Sequence, residues 1–178
     1  MAIKTASGSG LTNSLNSGLV LLNTTSFSGV ASQTVSGVFS STYDNYMIVF
    51  NSGSSTSNNS SITMQLGATA TGYYQFGVFG RYNVSTVNGD NKSNASSIAI
   101  AGSAGLDGLD GIVHLFSPNA ARLTTFETRS REMQINGTSL LAYNSGGYLN
   151  NTTQYTAFTV TVATGTMTGS ISTYGFNK

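Results

Sequence analysis

Residues 62–66 read Ile-Thr-Met-Gln-Leu: Ile62, Met64 and Leu66 project to one side of an extended chain, and Thr63 and Gln65 to the other. A period of two identifies a half-buried β-strand, because successive side chains of an extended backbone alternate faces. Upstream, residues 19–27 and 33–39 are short apolar stretches, and Ser40-Ser41-Thr42 turns the chain into Tyr-Met-Ile-Val-Phe at 46–50. Those five apolar residues lack alternation, which predicts a strand covered on both faces. Downstream, residues 73–82 (YYQFGVFGRY) form the most aromatic window, followed by short strands at 98–101 and 112–116. Asp-Gly-Leu-Asp-Gly at 107–111 and Ser-Pro-Asn at 117–119 read as turns. Residues 155–162 and 167–176, joined at Thr164-Gly165, read as a closing hairpin.

Between these stretches lie polar tracts. Residues 51–61, 83–97 and 144–153 read as exposed loops at one end of the domain, with Asn88-Gly89 as a tight hairpin turn because both residues tolerate positive φ. Short strands separated by turn clusters, with no helix-period stretch, predict an all-β antiparallel β-sandwich. A jelly roll is the expected topology, although the pattern does not separate it from other sandwiches.

Composition agrees. In 178 residues, 39% are hydrophobic, enough for one core. Only 7% are charged, against roughly 25% in ordinary soluble domains. The polar surface is therefore made by Ser, Thr, Asn and Gly, which favour strands and turns over helices. A helical bundle is excluded on that ground. The net charge of +1 leaves no electrostatic footprint for nucleic acid or an anionic membrane. With Cys 0, thiol chemistry and cysteine metal sites are absent. No stretch reaches the ~20 apolar residues of a membrane-spanning helix, and no apolar run follows the N-terminus as in a signal peptide. Sequons such as Asn23-Thr24-Thr25 and Asn83-Val84-Ser85 follow from the abundance of Asn, Ser and Thr.

Residues 1–18 (MAIKTASGSGLTNSLNSG) are small, polar and aperiodic, and read as an extended N-terminal arm making assembly contacts. At 3.3 Å per residue it reaches roughly 60 Å. Residues 19–178 are expected to form a single sandwich domain.

The stock of titratable groups is thin: six carboxylates, seven cations and His114. No catalytic set, cofactor site or metal site is expected. His114, between Ile112 and Phe116, reads as packed in or beside the core. Asp107 and Asp110 read as turn formers rather than calcium ligands, since the rest of a ligand set is missing. Asp44, Glu127 and Glu132 are the carboxylates available to a glycosidase-like pair, and nothing else supports one. Arg122, Glu127, Arg129, Arg131 and Glu132 concentrate charge in one segment, as cross-strand ion pairs or as a guanidinium site for a carboxylate or acidic sugar. Tyr74, Phe76 and Val78 share one strand face and Tyr73 and Phe79 the other. The expected glycan or interface contacts are Tyr73, Tyr74, Tyr82, Arg122, Arg129 and Arg131.

Three stretches, residues 39–50 (FSSTYDNYMIVF), 115–131 (LFSPNAARLTTFETRSR) and 164–178 (TGTMTGSISTYGFNK), resemble small virion-associated structural proteins of tailed bacteriophages. The resemblance implies a non-enzymatic protein on the capsid surface or tail. As a head decoration or cement protein it would form a homotrimeric jelly roll, attached by its N-terminal arm to the major capsid protein or tail. The alternative it implies is a tail-fibre or receptor-binding module recognising host surface glycans.

Overall fold

The computed structural model describes residues 18–132 and 141–178. These residues form an all-β antiparallel sandwich. Along the chain the strands are β1 (Leu19–Val30), β2 (Ser32–Val35), β3 (Asn45–Ser55), β4 (Ser60–Leu66), β5 (Tyr73–Arg81), β6 (Val87–Ala95) and β7 (Ile98–Gly105). They are followed by β8 (Gly108–Asp110), β9 (Ile112–Phe116), β10 (Thr124–Glu132), β11 (Leu141–Leu149), β12 (Phe158–Val162) and β13 (Met167–Phe176). One sheet has eight strands in the order β1-β13-β3-β9-β10-β11-β5-β6, and the other has five, β2-β12-β4-β7-β8.

The alternation that predicts the strands also sets the core. Ile62, Met64 and Leu66 are fully buried and face inward beside Phe158, Val160 and Ile98. The larger sheet meets them with Tyr46, Ile48, Phe50, Val113, Leu115 and Phe126. Burying side chains of this size contributes about 1.5–3 kcal/mol each. Toward β5, β10 and β11 the interior turns polar. Gln75 Nε2 donates to Ser145 Oγ at 2.7 Å, Gln75 Oε1 accepts from the Ala99 N–H at 2.8 Å, and the Thr128 and Ser145 hydroxyls are 2.7 Å apart. This satisfied network fixes β5, β10 and β11 to one another and so sets the outer surface they carry.

Several expectations are corrected. The tracts at 51–61, 83–97 and 144–153 are mostly strand: β3 continues to Ser55, β6 spans Val87–Ala95, and β11 runs to Leu149. They escape a hydrophobic reading because polar side chains bond one another across strands. Asn51 Nδ2, for instance, donates to Ser172 Oγ at 2.8 Å and Ser170 Oγ at 3.2 Å. Asn88-Gly89 is not a turn; both residues pair with β5, opposite Phe79 and Val78, and the chain reverses at 82–86. The final two strands are not a hairpin, since β12 belongs to the five-stranded sheet and β13 to the other. Among the described residues, only one face of 46–50 is covered: Tyr46, Ile48 and Phe50 are buried, while Met47 and Val49 lie half-buried on the outer face. His114 shares that outer face, edge-on to Phe176 at 6.2 Å between ring centroids, and is not a core residue. Of the expected arm, residues 1–17 lie outside the described residues; at Gly18 the carbonyl already accepts from the Asn177 N–H at 3.2 Å.

Tyr73, expected as a surface contact, is 0% exposed. Its hydroxyl accepts the Leu66 N–H at 2.7 Å, tying β5 to the end of β4. Burial pushes its pKa up to about 12 from the ordinary 10.0. The neutral phenol is therefore favoured by folding: its contribution is complete below pH 10 and is lost as pH rises from about 10 to about 12. Tyr73→Phe is expected to cost about 1–3 kcal/mol at neutral pH by stranding the Leu66 N–H. It is also expected to flatten the fall in stability above pH 10, as read by chemical denaturation at stepped pH. An unchanged alkaline slope would contradict the burial of this hydroxyl.

Candidate functional site

The outer face of the eight-stranded sheet collects the unassigned chemistry of the chain. Its registers place one lateral row across all eight strands: Asn91, Phe76, Gly146, Glu127, His114, Met47, Tyr174 and Leu21. The adjacent row on the same face includes Val78, Asn144, Arg129, Ile112 and Val49. On the other side, Tyr74, Tyr148, Thr125 and Phe116 continue the surface. At about 4.8 Å between strands, eight strands make a face roughly 34 Å wide.

Two shallow depressions, of about 540 and 570 Å³, lie on this face and share Ile112, Arg129 and Asn144. The first is bounded by Phe76 on one side and by Glu127 and His114 on the other, with Gly146 as its floor. Strands β5 and β10 flank β11 there, roughly 10 Å apart, so a glycine between two long side chains leaves a trough. The second continues toward Asp110, Arg131 and Ala142. Phe76 is 63% exposed. Tyr74 and Tyr148 stack at one end, with centroids 5.1 Å apart and planes within 9°.

The polar groups are unevenly committed. Arg129 Nε donates to Asn144 Oδ1 at 3.3 Å. Arg131 pairs with Asp110, its Nη2 3.4 Å from Oδ2 and its backbone N–H 2.9 Å from Oδ1. That contact engages the second aspartate of the Asp107–Asp110 turn, and Asp107 itself lies in the two-residue reversal between β7 and β8. The Glu127 carboxylate has no hydrogen-bond or ion-pair partner among the described residues, although Glu127 stands directly opposite His114. Asp44 pairs with Lys178 at 3.0 Å and does not join Glu127 on this face. Among the described residues no group of three or more His, Cys, Asp or Glu side chains could hold a metal.

The expected contacts therefore separate. Tyr74, Arg129 and Arg131 share the outer face. Tyr82 lies in the reversal after β5, about 26 Å of extended chain from Tyr74. Arg122 precedes β10, its Nε donating to Ser117 Oγ at 2.8 Å, and so lies at the opposite end of that strand from Arg131. Sequence reasoning missed Asn144, Gly146 and Tyr148 because the polar tract holding them reads as loop; only the β5–β11–β10 register brings them beside Phe76 and Glu127.

No protein-family model, curated protein or solved structure matches the chain.

Proposed function

We propose that the protein is a non-enzymatic structural component of the exterior of a tailed-phage virion. In this reading it is a capsid decoration or cement subunit that self-associates as a homotrimer and is held on the particle by residues 1–18. The observation that carries it joins sequence to structure. The three stretches resembling virion proteins include the first half of β3, the last two residues of β9, most of β10 and all of β13, strands that are neighbours in the larger sheet in the order β13-β3-β9-β10. The resembling strands and the turns that lead into them thus gather in one part of the larger sheet.

Two further features support the reading. Charge is sparse, and among the described residues only three ion pairs form, Lys92–Asp90, Arg131–Asp110 and Lys178–Asp44. A nearly neutral surface lets copies pack densely with little mutual repulsion. At the β1-β13-β3 end, Leu21 is 56% exposed beside the half-buried Met47 and Tyr174. These side chains offer apolar area for a neighbouring copy.

Sedimentation equilibrium of the full chain is the test. A trimer is expected, and Leu21→Asp is expected to weaken it at least about tenfold while leaving the melting temperature of the separated subunit within about 2 °C, since an exposed position contributes little to the fold. A monomer at every concentration, or a trimer indifferent to Leu21→Asp, would remove this interface.

A further inference from the structure

We propose that the trough over Gly146 is a binding site for a neutral oligosaccharide. A pyranose ring presents apolar C–H faces and, around its rim, hydroxyls that both donate and accept hydrogen bonds. The trough offers a counterpart to each. Phe76 supplies an exposed aromatic wall, which packs against C–H faces. Opposite it stand Glu127, an acceptor with no described partner, and His114, with Arg129 and Asn144 one row away. Planar side chains that donate and accept in pairs match adjacent hydroxyls.

Charge and shape narrow the ligand. Glu127 and Arg129 are two residues apart on the same face of β10, so the polar wall is balanced in sign and gives an anionic sugar no net attraction. The two joined depressions run along β11 from Gly146 to Ala142, roughly 13 Å, which is the scale of two or three linked rings rather than one. A polynucleotide does not fit it, because Glu127 and Asp110 face the same surface as Arg129 and Arg131.

Gly146 permits a clean test. A Cβ added there would meet nothing closer than the Phe126 carbonyl oxygen at 3.5 Å, an ordinary contact, so a larger side chain can enter the trough without disturbing the sheet. The experiment uses the full chain on one glycan array carrying neutral hexose and N-acetylhexosamine oligosaccharides together with uronate- and sialate-containing ones, followed by calorimetric titration of the strongest-binding oligosaccharide. Saturable binding to neutral members is expected. Phe76→Ala, Glu127→Gln and Gly146→Leu are each expected to weaken it about tenfold or more, with the melting temperature unchanged. Silence across the array, a preference for the acidic members, or binding that survives both Phe76→Ala and Gly146→Leu would overturn the proposal. Sugar binding goes beyond the decoration reading and fails separately from it, since trimer formation and particle loading are measured without any glycan.

Discussion

Gly147→Ala is expected to lower the melting temperature by about 10 °C, while Gly146→Ala, one position earlier, leaves it nearly unchanged. The contrast follows from where β11 runs. It is clamped between β5 and β10, with Gly147 opposite Gln75 and Phe126, and Gly146 opposite Phe76 and Glu127. A Cβ on Gly147 would fall 2.1 Å from the Tyr74 carbonyl oxygen and 2.7 Å from Phe126 Cζ. The first is backbone, and the second belongs to a ring only 2% exposed, so neither can yield without moving a strand. Forcing such a contact costs on the order of 3 kcal/mol, and in a domain of this size each kcal/mol shifts the melting temperature by about 2–4 °C. Alanine at Gly146 meets no such obstacle and removes some conformational freedom from the unfolded chain, so its effect is small and of either sign. Calorimetry on the two variants checks this directly. Equal losses, or a reversed order, would place the β10–β11–β5 register one residue away from that described and turn every side chain of β11 to the other face.

That register separates what the sequence reveals from what it conceals. Ile62, Met64 and Leu66 declare an inward face by their contrast with Thr63 and Gln65, and the structure buries all three. Tyr74, Phe76 and Val78 are likewise assigned to one face of β5 by alternation alone, and they share the outer surface. The polar strands carry no such contrast. Residues 51–55 of β3 and 144–147 of β11 are built from Ser, Asn and Gly, and between Val87 and Ala95 the residues of β6 are all polar or glycine; these segments hold their places through ladder bonds and side-chain pairs such as Asn51 with Ser172. A periodicity argument has nothing to act on where both faces are polar.

The trough was hidden for the same reason. Its aromatic wall and its charged wall are visible as residues 73–82 and 122–132, about 50 residues apart in the chain, and each has an ordinary structural reading by itself. What joins them is Gly146, a residue whose contribution is the side chain it lacks, in a tract that reads as loop. The apparent excess of apolar residues at 46–50 has a related origin. Met47 and Val49 predict a covering for the outer face that the described residues do not provide; in the trimer reading a second copy would cover Met47, while Val49 borders the second depression.

The other large effect concerns the arm. Residues 1–18 show no apolar periodicity, so in the decoration reading their contribution is expected on the particle. Deleting residues 2–18 is therefore expected to leave the melting temperature of the sandwich within about 2 °C, because β1 begins only at Leu19, and to reduce the protein on particles to background. Gly18, whose carbonyl holds Asn177, would be restored in a companion deletion of residues 2–17, which separates loss of that bond from loss of the arm. The most direct measurement is the copy number of full-length and truncated protein on purified phage particles, by quantitative mass spectrometry against the major capsid protein. The decoration reading predicts a fixed stoichiometry for the full chain and none above background for either truncation. Full occupancy by the truncated protein, or no association of the intact chain with particles, would contradict it.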